Sequence, residues 1–301
     1  MSSIYFIFAI FISFHAQINC AYEFSNSYVD KNSTSDTASA SSFSMDQAEI
    51  SVYLSAAAFC NKNTYTTRTF IGPTTGFVAT YVIYDNKTDT TGYIGFLPKD
   101  KSIYVVFRGS SSIPNWIVDL DAVKVPYSSF PECNCLVHKG FYEAEQRVIS
   151  GIITEVQRLK KMYGYTIVKV TGHSLGAALA QLASMDLYKA GLTPSVYNYG
   201  QPRTGDEAYS KFATPLLPLW RVTHNRDTVP HLPLEEKMSF YHVCREEFED
   251  EDGSFKTCNT SCEDPTCADQ FSANELNSDD HMYYLGLYMS CESVSSIFTA
   301  T

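Results

Sequence analysis

Residues 172–176 read Gly172-His173-Ser174-Leu175-Gly176, the G-x-S-x-G spacing of a serine set on a sharp turn from strand to helix. Glycine is needed on both sides of such a turn, because a side chain there would collide with the strand or the helix. A serine presented this way can attack an acyl carbon, and the helix N-terminus beneath it favours the negative charge that develops. The bland alternative is a glycine-rich connection with an incidental serine. The surrounding sequence decides against that, since a β-branched run ends at the turn and an Ala- and Leu-rich run begins there.

A serine hydroxyl needs a base, and the base needs an acid to orient it. Where this turn occurs the partners follow in the order serine, acid, histidine, each on a loop at the carboxyl end of a strand. Asp227 fits the acid, in the loop His224-Asn225-Arg226-Asp227-Thr228-Val229-Pro230 after a strand-like run. Asp206 and Glu207 are rivals better suited to capping or solvating the next helix. Three histidines lie downstream. His231 is only four residues from Asp227 on one Pro-bounded loop, and His242 sits in the aromatic, β-like run Phe240 to Val243. His281 follows Asp279-Asp280 and precedes Met282-Tyr283-Tyr284-Leu285, a loop-to-helix junction from which it can face the site. His281 is the expected base.

The elements that must position these residues alternate in type. A possible capping box, Ser44 to Gln47, opens a helix running to Cys60. Strand-like runs follow at Thr75 to Tyr84, Tyr93 to Phe96 and Ser102 to Arg108. From Phe141 through Ala144, Val148, Ile152 and Val156 to Leu159 the apolar spacing predicts one long amphipathic helix. Strand Tyr165 to Thr171, helix Leu175 to Lys189, strand Val196 to Tyr199 and strand Leu219 to Thr223 complete the pattern. The expectation is an α/β fold with a mostly parallel central sheet flanked by helices.

At 301 residues with 45% hydrophobic content, the chain can bury one large core, and no repeat suggests a second. The apolar run Ile4 to Phe14 is too short to span a bilayer and reads as a signal peptide over residues 1–20. A polar arm over 21–45, a catalytic domain over 46–292 and a tail over 293–301 would follow. The net charge of −11 argues against nucleic acid and against anionic membranes, so any lipid contact must be hydrophobic. The acidic run Glu246 to Asp252 reads as a solvated loop. Nine cysteines fall to eight if cleavage follows Cys20, and an even count in a secreted chain favours disulfides over metal ligation. Cys133 and Cys135, one residue apart, are expected to find partners elsewhere or are left open, as are Cys244, Cys258, Cys262 and Cys267, a group that could form a local cap. Sequons stand at Asn32, Asn86 and Asn259. No metal or cofactor is called for.

Together with Val105 to Ser110, Asn115-Trp116-Ile117, His138 to Phe141, Tyr199 to Arg203 and Asp227 to Pro233, the Ser174 turn gives a chain that resembles the class 3 lipases, from about Asp46 to Cys291. That resemblance implies an α/β-hydrolase fold with a short helical lid, and an esterase acting on tri- or diacylglycerol as a secreted monomer at a lipid–water interface. It implies an oxyanion hole from Ser110, by its N–H and hydroxyl, and the N–H of Leu175. It also implies a lid over about Ser111 to Val123 with Trp116, Ile117 and Leu120 facing lipid, and a bridge from Cys60 to Cys291. A phospholipase A1 or a feruloyl-type esterase could use the same scaffold, although an apolar lid argues against the feruloyl option. A non-catalytic lipid-binding relative is a further alternative, against which all three triad positions speak.

Overall fold

The computed structural model describes residues 42–112, 122–258 and 261–295. The expected signal peptide, most of the expected polar arm, the expected lid residues Trp116, Ile117 and Leu120, and residues 296–301 lie outside the described residues. Helix α1, Met45–Ala57, begins at Ser44, whose side chain accepts from Gln47 N–H. The reciprocal half of the expected capping box is not made: the Ser44 N–H donates to the Tyr197 hydroxyl at 3.2 Å, and Gln47 Oε1 accepts from Lys169 Nζ.

Strands β1 (Val78–Asp85), β2 (Thr90–Leu97) and β3 (Ser102–Phe107) form an antiparallel meander. After the short β4 (Lys124–Pro126) and β5 (Leu136–His138) come helices α2 (Lys139–Gln146) and α3 (Ile149–Tyr163). This crossover returns the chain to β6 (Ile167–His173), parallel to β3. Helix α4 (Leu175–Lys189), strand β7 (Ser195–Tyr199), helix α5 (Glu207–Ala213) and strand β8 (Leu219–His224) continue the winding. A short helix α6 (Glu235–Met238) precedes β9 (Glu246–Glu249) and β10 (Phe255–Cys258). The sheet order is β1-β2-β3-β6-β7-β8-β9-β10, parallel from β3 to β9. A final hairpin pairs β11 (Tyr283–Tyr284) with β12 (Leu287–Tyr288).

Strand side chains alternate between faces, and β3 shows both cores being built. Ile103, Val105 and Phe107 join Ile152, Val156 and Leu182 on one side, while Tyr104 and Val106 join Val52 and Leu54 of α1 on the other. All six residues of β3 are buried, as a strand inside the sheet with a core on each face should be.

Two expectations need correction here. The predicted single helix is two, because Val148 takes φ −117° and its N–H reaches back only three residues to Glu145 O. The apolar spacing still runs through the break, since Ala144, Val148 and Ile152 face one core. The acidic run is not a solvated loop over its first half: Glu246, Glu247 and Glu249 are buried in β9. Each carboxylate has a polar partner, which makes burial of charge tolerable. Glu246 accepts from Thr223 Oγ1 at 2.7 Å and the Ala268 N–H at 3.1 Å, Glu247 from Thr257 Oγ1 at 2.8 Å, and Glu249 from the Leu285 N–H.

The eight cysteines among the described residues form four bridges: Cys60–Cys291, Cys133–Cys135, Cys244–Cys262 and Cys258–Cys267. Cys60–Cys291 joins the segment just past α1 to the start of a terminal 3-10 turn. Cys133 pairs with Cys135 after all. Asn134 between them adopts a left-handed conformation, φ +48°, folding the chain back so that the two Cα atoms lie 5.2 Å apart, inside the span a disulfide bridges.

Candidate active site

Ser174 sits between the last residue of β6 and the first of α4, at φ +60° and ψ −131°, a region costly for any residue with a side chain. The flanking glycines make the turn possible. A Cβ on Gly172 would lie 2.3 Å from the Gly176 carbonyl oxygen, and one on Gly176 would lie 2.5 Å from that of Phe107 and 2.8 Å from the Arg108 backbone. These contacts are backbone against backbone and cannot relax by side-chain motion. They also press the end of β3 and the segment Arg108–Ser110 against the start of α4. A Cβ on Gly109 would lie 3.2 Å from Ser174 Cβ.

Leu175 follows the serine directly, and Ser110 follows Gly109, whose backbone packs against Ser174. Leu175 is the first residue of α4, so its N–H has no acceptor within the helix. Ser110 Oγ stands 3.4 Å from both Ser112 N and Ser112 O.

Asp227, three residues past the end of β8 at His224, and His281, in the 3-10 turn Asp280–Met282, meet although 54 residues separate them. His281 Nδ1–H donates to Asp227 Oδ2 at 2.8 Å, with His281 0% and Asp227 1% exposed. The Tyr284 hydroxyl donates to the same oxygen, and the Val229 N–H donates to Oδ1 at 2.7 Å. Burial pushes the Asp227 carboxyl up, but the imidazole beside it, the Tyr284 hydroxyl and the Val229 N–H outweigh burial and hold it below the usual carboxylate range. Burial, then Asp227, drives the Tyr284 phenol well above its ordinary value, so it remains a donor.

The two loops are zipped together by Asp280, whose Oδ2 accepts from Asn225 Nδ2, the Arg226 N–H and Asn277 Nδ2 at 2.9–3.1 Å. With Nδ1 committed to Asp227, His281 Nε2 is the ring atom left to accept a proton. Both it and Ser174 Oγ are buried without a hydrogen-bond partner among the described residues.

Beneath the His281 ring lies that of His173, centroids 4.4 Å apart, and His173 Nε2–H donates to the His281 carbonyl at 2.7 Å. Burial above all, then His281, depresses the His173 pKa to about 3, so it forms a neutral platform. Gly200, at φ +54°, makes room on the other side: a Cβ there would lie 2.8 Å from His281 Cε1 and Nδ1 and from the Tyr284 oxygen.

The other candidates fall elsewhere. His231 Nδ1 meets the Asp227 carbonyl, not its carboxylate, at 3.0 Å, and His242 Nε2–H donates to Pro230 O at 2.7 Å. Asp206 caps α5, accepting from the Tyr209 N–H. His281 stands in a 3-10 turn leading to a β-hairpin, not at the start of a helix. Sequence reasoning assigned no task to Tyr284, His173 or Gly200. Gly200 alone had a signal, a glycine directly after a strand.

The mostly parallel sheet flanked by helices, with its serine turn between β6 and α4, is an α/β-hydrolase fold. The family model for Lipase (class 3) matches residues 104–237. A lipase of Rhizomucor miehei is 38% identical over 208 residues, 66% of this chain and 56% of the relative. A secreted mono- and diacylglycerol lipase A of Penicillium cyclopium is 36% identical over 175 residues, 57% of this chain and 56% of the relative. A solved triacylglycerol lipase, described as having a serine protease triad as its catalytic centre, superposes with a TM-score of 0.75 at 32% identity, covering 82% of this chain and 96% of that one. The chain belongs to the class 3 lipase family. The chain spans just over half the length of these two curated relatives.

Proposed function

We propose that this chain is a secreted serine carboxylic-ester hydrolase that cleaves acylglycerols, tri- or diacylglycerol, through an acyl-Ser174 intermediate. The observation that carries the proposal is the buried His281–Asp227 pair, with Nδ1 bound to the acid and Nε2 left to accept, in the same site as a serine held at positive φ. Ser174 Oγ attacks the ester carbonyl while His281 Nε2 takes its proton. The resulting oxyanion is received by the N–H groups of Ser110 and Leu175 and the Ser110 hydroxyl. Collapse breaks the carbon–oxygen bond to the glycerol oxygen, which leaves with the proton from His281. Water, deprotonated by the same imidazole, then releases the fatty acid and returns the proton to Ser174.

Relatives named for mono- and diacylglycerol and for triacylglycerol support the substrate class. Four disulfides, an exposed Asn86 in the β1–β2 turn and a relative named as secreted support secretion of the chain, which we read as a monomer with its catalytic domain over 46–292. No helix among the described residues is long and apolar enough to cross a membrane.

In the test, Ser174→Ala, Asp227→Asn and His281→Ala each lower kcat/KM on a soluble short-chain ester by about 10³-fold or more, with the native fold retained by circular dichroism. A fluorophosphonate labels Ser174 in the parent protein and nothing in Ser174→Ala. Full activity in Ser174→Ala would sink the reading. Turnover of triolein above that of phosphatidylcholine separates acylglycerol from phospholipid as the substrate.

A further inference from the structure

The loop carrying Asp227 is gripped along its far end by two residues that never touch the triad. Four consecutive carbonyls, from Pro230 to Pro233, point at them. Pro230 O accepts from His242 Nε2–H at 2.7 Å. Leu232 O accepts from the Arg203 N–H at 2.7 Å, and His231 O and Pro233 O accept from Arg203 Nη1 at 2.7 and 3.3 Å. The same loop folds back on the acid, with His231 Nδ1 against Asp227 O and the Val229 N–H on Asp227 Oδ1.

Behind both gripping residues stands one carboxylate. Glu263 takes the guanidinium of Arg203 in a two-point fork, Oε1 to Nε at 3.0 Å and Oε2 to Nη2 at 2.8 Å, and its Oε1 also accepts the His242 N–H at 2.6 Å. Arg203 is 4% exposed, and a planar fork with five donors is what lets one side chain serve a carboxylate and two carbonyls at once. Burial pushes the Glu263 carboxyl up, but His242 and the ion pair with Arg203 outweigh it and hold it at about 2. Glu263 follows Cys262 directly, Cys262 is bridged to Cys244, and the Cys262 carbonyl accepts from Arg221 Nη2 at 3.2 Å. The disulfide pins the carboxylate beside the site from a segment with little regular structure of its own.

We propose that Glu263 is a positioning residue for the triad, acting through Arg203 and His242 to fix the loop that aims Asp227 at His281, with Cys244–Cys262 as its anchor. The proposal rests on the serine-hydrolase reading, and the experiment keeps the two apart. Active sites are counted by fluorophosphonate titration, and turnover of a soluble short-chain ester is expressed per titrated site for the parent protein, Glu263→Gln, Arg203→Lys and Cys244→Ser/Cys262→Ser. Glu263→Gln preserves shape and the acceptor for His242 but removes the charge; Arg203→Lys preserves charge but cannot make the fork.

The expected result is a fall in kcat per site of about tenfold to a hundredfold in the first two, the scale set by small misplacements of catalytic groups, with KM changed less than twofold. The disulfide variant should fall less, and its effect should not add to that of Glu263→Gln. If the variants only lower the number of titratable sites while turnover per site is unchanged, Glu263 is merely structural and the proposal is overturned. If the parent protein itself is not labelled at Ser174, the hydrolase reading fails instead. Should Glu263→Gln not fold, Arg203→Lys and the disulfide variant read the same quantity.

Discussion

The Ser174 turn and the Asp227–His281 loops are built on different physics. The turn is fixed by hard contacts among near neighbours and one adjacent strand: Gly172 against Gly176, and Gly176 against Phe107 and Arg108. The loops are fixed by polar pairs between residues far apart in sequence: Arg203 with Glu263, Asn225 with Asp280, His242 with Pro230. Steric exclusion leaves a signature in the sequence, because only glycine satisfies it. A polar pair leaves little, because an arginine or glutamate does not announce its partner.

The sharpest way to break the steric half at the point where it meets the base is Gly200→Ala. The new methyl would need 2.8 Å contacts with the His281 ring and the Tyr284 oxygen, at a backbone φ of +54° that alanine disfavours. The ring must shift, and a displacement near 1 Å at a catalytic group costs about a hundredfold. We expect kcat on a soluble ester to fall by about that factor, and stability by about 1–3 kcal/mol, measured by steady-state kinetics and denaturant unfolding. A variant with parent-level kcat would show that His281 tolerates movement and that the contact is unimportant.

The same division explains what the sequence revealed. Helix α4 was readable to its end residues, Leu175 and Lys189, because a glycine turn opens it and its apolar content is continuous. The pairing of Asp227 with His281 was legible from the order of the loops and from elimination among three histidines, and the two side chains meet at 2.8 Å. The buried strand Glu246–Glu249 was not, since four residues with three carboxylates look solvated until Thr223, Thr257 and the N–H groups of Ala268 and Leu285 are placed around them. The Cys133–Cys135 bridge depended on the left-handed backbone at Asn134, which composition does not specify. The break at Val148 was hidden because both helices keep one apolar phase across it.

A disulfide that makes no hydrogen bond to either half, although Cys291 lies ten residues past His281, serves as a control on the comparison. Cys60–Cys291 closes a separation of 231 residues, and removing a native bridge typically costs about 2–5 kcal/mol. Neither cysteine contacts Ser174, Asp227 or His281 through any bond described above. Cys60→Ser/Cys291→Ser should therefore lower the unfolding free energy by about that amount while kcat per titrated site stays within about twofold of the parent. A large loss of turnover per site would mean that the α1 end and the C-terminal turn share in holding His281, and that the division into local and long-range parts is too simple.

The finest test is electrostatic and concerns Asp269, on the outer side of the loop clamp. Its carboxylate lies 3.5 Å from Arg203 Nη2 and 3.8 Å from His231 Nε2, which taken alone would favour ionisation. Glu263, however, already holds the Arg203 fork, so Asp269 is left with burial first, then the Glu263 charge, and its pKa is raised to about 7 from an ordinary 3.8. A carboxyl whose folded value lies above its unfolded one contributes stability that is complete below about pH 3.8 and is lost as pH rises through about 7. Asp269→Asn imitates the protonated form. It should leave stability unchanged near pH 3.5 and raise it by about 1 kcal/mol near pH 8, a modest figure because the side chain is 26% exposed and Arg203 relieves part of the repulsion. Glu263 titrates with the opposite sign, since its depressed carboxyl contributes stability above about pH 4.5 that is lost as pH falls towards about 2. Unfolding free energies of the parent, Asp269→Asn and Glu263→Gln across pH 3 to 8 resolve the two. If Asp269→Asn were destabilising at pH 8, the Asp269 charge would be supporting Arg203 rather than competing with Glu263 for it, and the clamp would have two carboxylates sharing one guanidinium.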